Sequence, residues 1–138
     1  MVWDEFDQVL ERLREALAAT DPGLAPIEAL GRAIFASNAH DPEQLPQLRL
    51  RMTLVAAVPA LQAHATIRNV AWRRIVAEWS AERLGARHDD LLPQAVAHAA
   101  LGTAIAAFTH WVRSPDDELG RCLDEAFAAL AGGFPALR

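Results

Sequence analysis

The stretch R-M-T-L-V-A-A-V-P-A-L-Q-A-H, residues 51–64, decides how the chain folds. Leu48, Met52, Val55 and Val58 recur at three- and four-residue spacing, so one apolar face of a helix runs into it. Pro59 then stands where that helix would be packed most firmly. A proline inside a helix removes a backbone hydrogen bond and clashes with the preceding turn, at a cost of about 3 kcal/mol. The spacing therefore predicts a helix over residues 43–58, a break at Pro59, and one further turn over 60–64. Beyond it Ile67, Trp72, Ile75, Val76 and Trp79 carry a long helix towards Gly85, a fitting C-terminal stop.

The same periodicity extends in both directions. Trp3, Phe6, Val9, Leu10, Leu13 and Leu17 form an amphipathic first helix, ended by D-P-G at residues 21–23. Ile27, Leu30, Ile34 and Phe35 mark a shorter second helix that stops before His40. Asp41, Pro42 and Gln44 read as a cap, a first-turn proline and a capping-box partner for the third. Asp89 and Asp90 before L-L-P open a fifth helix, and S-P-D-D-E at 114–118 opens a sixth that ends near Gly132 and Gly133. With no alternating strand pattern and no repeat, the expectation is one all-α domain over residues 1–138, an antiparallel bundle of about six helices.

A chain of 138 residues, 52% of them hydrophobic, can bury a real core. Its net charge of −5 leaves no concentrated positive field for a nucleic-acid backbone. Cys122 stands alone, which excludes an intrachain disulfide, and no secretory signal or membrane-length apolar run is read, so a cytoplasmic protein is expected. None of the five histidines lies three or four residues from another, no phosphate loop or nucleophile elbow occurs, and Cys122 beside Leu123 reads as a small buried hydrophobe. Neither catalysis nor a metal or other cofactor is expected.

The fifth helix carries two seams. Leu101, Ile105, Phe108 and Val112 are bulky and suited to the domain's own core. Ala95, Ala99, Gly102 and Ala106 are small and permit close approach by another helix. In the sixth helix Leu119, Leu123, Phe127 and Leu130 share one side. Spacing alone is met equally by helices buried within a monomer and by a two-fold dimer built from this pair.

V-W-D-E-F-D-Q-V-L-E-R-L-R (2–14), the proline stretch, W-R-R-I-V-A-E-W-S-A-E-R-L-G (72–85), D-D-L-L-P-Q-A (89–95) and A-A-L-G-T-A-I-A-A-F-T-H-W (99–111) together resemble the C-terminal regulatory domain of TetR-family transcriptional regulators, in particular those associated with the mycofactocin system. The resemblance covers nearly the whole chain. The three-helix DNA-binding domain with its helix-turn-helix has no counterpart in these residues, so DNA is expected to be reached only through such a domain. The resemblance implies a helical bundle around an effector cavity, with the last two helices pairing with a second subunit in a four-helix interface. It also implies a hydrophobic effector with a polar or anionic end, such as a fatty acyl-coenzyme A.

On that reading Pro59 turns the chain so that Leu48, Met52 and Val55 face Trp72, Ile75, Val76 and Trp79 across a wedge, with Phe35 and Phe108 closing it. Arg51, between Leu48 and Val55 on the apolar stripe, and Arg68, one turn before Trp72, are candidate anchors for an anionic group. A tightly packed kink and a salt bridge for Arg51 account for the same residues, and a helical protein-interaction module is the alternative function.

Overall fold

The computed structural model describes the backbone of residues 2–138 and the side chains of residues 7–138. The apolar positions Trp3 and Phe6 therefore lie outside the described side chains. The helices are α1 (Val2–Ala18), α2 (Pro26–Ser37), α3 (Leu45–Ala57), α4 (Pro59–Leu84), α5 (Leu91–Arg113) and α6 (Leu119–Ala131), followed by a 3-10 turn over Pro135–Leu137. No strand occurs among the described residues, and the all-α expectation holds.

Pro59 does not interrupt a helix. Val58, at φ −109° and ψ 113°, is the one residue between α3 and α4, and Pro59 opens α4. At a first helical position the missing N–H has no intrahelical partner in any case, so the mid-helix penalty does not arise. The Val58 N–H closes α3 on the Leu54 carbonyl (2.9 Å), and its own carbonyl accepts from the Leu61 and Gln62 N–H groups at 3.0 and 3.1 Å. The Gln62 side chain reaches back to the Ala56 carbonyl at 2.7 Å, satisfying a group that the end of α3 leaves open. Residues 60–64 are thus the start of a 26-residue helix rather than a separate turn.

Two other helices start later than their sequence signals. Residues 41–44 close a turn, with the Gln44 N–H donating to the Asp41 carbonyl at 2.9 Å and the Gln44 side-chain oxygen accepting from the Asp41 N–H at 3.4 Å. Residues 114–117 do the same through the Asp117 N–H and the Ser114 carbonyl at 3.0 Å. In each case the proline takes the second position of a β-turn, where its fixed φ serves as well as in a first helical turn. Gly85 ends α4 as expected: it is left-handed (φ 63°), and the Ala86 N–H reaches the Ala81 carbonyl at 2.9 Å.

The core gathers Leu10, Leu13 and Leu17 from α1, Leu30 and Ile34 from α2, Ile75 and Val76 from α4, Trp111 from α5, and Leu119, Leu123 and Phe127 from α6. Alanines 97, 100, 104 and 107 of α5 complete it. This corrects the choice of core seam in α5. Leu101, Phe108 and Val112 are only half-buried and Ile105 is exposed, because α4 and α6 already supply the large side chains and close packing leaves α5 room for small ones. The α2–α6 contact is equally tight: a Cβ on Gly31 would fall 2.9 Å from that of Phe127.

By length and composition α5 is apolar enough to cross a membrane, with mean hydropathy 1.4 over its most apolar stretch, contrary to the expectation that no such run exists. It packs on α3, α4 and α6, yet that stretch is only 28% buried. Apolar surface is thus left exposed along this helix.

Candidate functional site

The wedge beside Pro59 is built from α3. Leu45, Leu48, Arg49, Met52 and Val55 turn inward on it, all half-buried, whereas Leu50, Arg51 and Leu54 face out. Leu48, Met52 and Val55 thus share the face expected of them. Arg51 does not: it is exposed, because the inward face is centred between Leu48 and Met52 and Arg51 lies to one side of it.

The arginine that α3 turns inward is Arg49, which the sequence reading passed over. Its guanidinium donates to the carbonyls of Trp111 and Val112 and stacks over the Trp111 ring at 4.2 Å from the centroid. It places positive charge on carbonyls in the last turn of α5, at the negative end of that helix, where the Trp111 carbonyl also accepts from the Ser114 N–H at 3.1 Å. The only available signal was its spacing, one residue after Leu48 and three before Met52.

The other candidates disperse. Ile75 and Val76 are buried in the core, and Trp72 packs against that core from α4. Trp79 lies about 10 Å further along the helix. It lines a separate groove of ≈ 310 Å³ between α1 and α4, with Arg14, Leu17, Ala18, Ile75, Glu78 and Glu82. Arg83 stacks on Trp79 at 4.7 Å and ties the α1–α2 connection through the Leu24 and Asp21 carbonyls at 3.2 and 3.1 Å. Phe35 covers Gly120, its ring 2.8 Å from where a Cβ would stand, and Phe108 meets Trp111 edge-on with centroids 6.5 Å apart. Phe35 is thus set against α6 rather than over the α3–α4 wedge. Arg68 is half-buried on α4.

What the wedge region does carry is unburied apolar surface. No residue of α3 is buried, and Leu50, Leu54 and Val58 are exposed, as are Ile67 and Val70 on α4. Beside α3, His40 lies in the field of Arg12 and Arg51. Burial first, then these two guanidinium groups, lower its pKa, against a smaller opposing effect of Asp41. Since the folded pKa is below the unfolded value near 6.5, the unfolded chain binds the proton more readily, and stability falls as pH drops from about 6.5 through the folded pKa. His40→Gln is expected to flatten the pH dependence of the melting temperature in that window while leaving it unchanged at pH 8. An unaltered slope would sink the assignment.

The larger concavity lies elsewhere. A groove of ≈ 410 Å³ runs between α5 and α6, lined by His98, Ala99, Gly102, Thr103, Ala106, Ala126, Leu130 and Phe134. Ala95 is exposed on the same helix. The small seam of α5 thus faces outward, and Leu130 of α6 reaches its rim. Leu119, Leu123 and Phe127 do not: they are buried in the protomer's own core and are unavailable to a second subunit.

The family comparison matches residues 24–135 to the domain described as the MftR C-terminal domain. Over 135 residues the chain is 32% identical to the "Putative mycofactocin biosynthesis transcriptional regulator MftR" of Mycobacterium tuberculosis (strain ATCC 25618 / H37Rv), an alignment covering 98% of this chain and 68% of that protein. With its all-helical fold and a match that runs from α2 through α6, the chain belongs to the MftR C-terminal domain family, the TetR-type regulatory domain of a transcriptional regulator.

Proposed function

We propose that this domain senses a hydrophobic or amphipathic effector, of the fatty acyl-coenzyme A type, and dimerises through α5 and α6 in a cytoplasmic TetR-like repressor. The observation that carries the effector reading is that α3 contributes no buried residue although it bridges α4 and α5. A helix held so lightly can move aside at the single-residue joint Val58, admitting an apolar chain between Leu48, Met52 and Val55 on one side and Trp72 on the other. Arg51, whose charge acts on His40 together with that of Arg12, gives an anionic end a cationic corner to face. The groove along Ala99, Gly102 and Ala106 and the low burial of α5 support the dimer. In this reading DNA is contacted through a helix-turn-helix domain, and effector binding alters the relative orientation of two subunits.

Mass spectrometry of the protein purified from an unbiased extract tests for a retained ligand. In an acyl series, affinity read by indole fluorescence should rise by up to about four-fold per methylene, from about 0.8 kcal/mol each, until the space is filled. Arg51→Ala should weaken an anionic ligand more than its neutral analogue. Equal weakening removes the anchor role. No response in either fluorescence or melting temperature across acyl-coenzyme A and free fatty acids removes the ligand class, leaving the exposed α3–α4 surface to a protein partner.

A further inference from the structure

We propose that His110, Asp117 and Cys122 form a binding site for a divalent transition-metal ion, with zinc the best fit. The proposal is independent of the effector reading. His110 lies in the last turn of α5 and Cys122 in the first turns of α6; the turn over 114–117 folds Asp117 back beside both. One imidazole nitrogen, one carboxylate oxygen and one sulfur converge so that all three atoms lie within 4.8 Å of one another. The His110 Nε2 is 2.9 Å from the Asp117 Oδ2 and 3.5 Å from the Ser114 Oγ.

A mixed nitrogen, oxygen and sulfur set is that of a zinc ion, which takes histidine, carboxylate and thiolate ligands at about 2.0–2.3 Å. Tetrahedral binding at these bond lengths sets donors about 3.3–3.6 Å apart, so His110 and Asp117, at 2.9 Å, part slightly while donors as far as 4.8 Å apart draw in. His110 and Asp117 can do this by side-chain rotation, since both side chains are largely exposed. A fourth position then faces water or the Ser114 hydroxyl. Neutral imidazole, carboxylate and thiolate together balance a dication.

A hydrogen bond accounts for His110 with Asp117 and core packing for Cys122 taken singly; what points to a metal is that their three donor atoms converge. A nucleophilic Cys–His pair is disfavoured, because that chemistry needs a lowered thiol pKa. Here burial, then Asp117 and Glu125, push the Cys122 thiol up, against weaker opposing effects of Arg121 and Arg49. A dication reverses that field. The pattern was invisible to a search for histidines one helical turn apart, since its members sit seven and five residues apart and meet only through the α5–α6 turn.

The test is a cobalt(II) titration of the 138-residue chain, reading the near-ultraviolet thiolate-to-cobalt charge-transfer band, with zinc binding followed by calorimetry. One ion per chain with that band is expected. C122S should abolish the band, and H110A and D117N should each weaken zinc binding by at least about ten-fold. The band of the unmutated protein reports thiolate ligation directly, so the result stands even where a variant folds poorly. Absence of the band at about ten-fold excess of cobalt overturns the proposal, as does zinc affinity unchanged in both H110A and C122S.

Discussion

Trp111→Ala is expected to lower stability by about 3–5 kcal/mol, the range for removing a large aromatic side chain from a close-packed interior. Trp111 is 1% exposed and is the largest fully buried side chain among the described residues, set at the end of α5, whose other core positions are alanines 97, 100, 104 and 107. Its loss also strips Arg49 of the ring beneath it, leaving the guanidinium only its hydrogen bonds to the backbone carbonyls of residues 111 and 112. Thermal unfolding at fixed protein concentration should show a drop on the order of 10–20 °C. Arg49→Ala, which leaves the indole in place, is expected to cost about 1–2 kcal/mol, and a double-mutant cycle of the pair should be non-additive. A Trp111→Ala loss below about 1 kcal/mol would contradict the packing described for this end of the bundle.

Gly102→Arg should convert the proposed dimer to a monomer without unfolding the protomer. The two consequences separate because Gly102 is exposed, with nothing within 4 Å of a Cβ built on it, yet it lines the α5–α6 groove. In the isolated protomer the arginine extends into solvent. In a two-fold contact it enters twice, once from each subunit. An unpaired charge forced into a close interface costs about 3–5 kcal/mol, or about 10²–10⁴ in dissociation constant. Light scattering should report the monomer mass while far-ultraviolet circular dichroism keeps the parental signal. An unchanged dimer mass moves the interface away from this seam; a lost helical signal means that Gly102 is needed within the protomer.

The helices were legible in sequence because each signal was local. The spacing of Leu10, Leu13 and Leu17 and the glycine that closes α4 act within one or two turns, and backbone sterics read them the same way in any surroundings, whereas Pro59 was expected to break a helix and opens one instead. The family resemblance, too, rested on the order of such elements. Periodicity also placed Leu48, Met52 and Val55 together, since three- and four-residue spacing is itself a statement about one face.

What periodicity lacks is the identity of the neighbour across each face. The bulky seam of α5 was expected to face the core, yet a third face that neither seam contains, alanines 97, 100, 104 and 107, fits against the bulk of α4 and α6, leaving Ala99, Gly102 and Ala106 outside. Leu119, Leu123 and Phe127 looked as fit for a partner subunit as for this core until α2 approached close enough at Gly31 to cover them. Arg49 and Arg51 differ by two positions on one helix, and only the placement of Trp111, more than sixty residues further on, determines that Arg49 is the one drawn inward. His110, Asp117 and Cys122 meet for the same reason: the sequence by itself determined that the chain is helical and roughly where each helix lies, while the contacts between distant helices depend on volumes and charges summed over the whole bundle, and those only the tertiary structure decided.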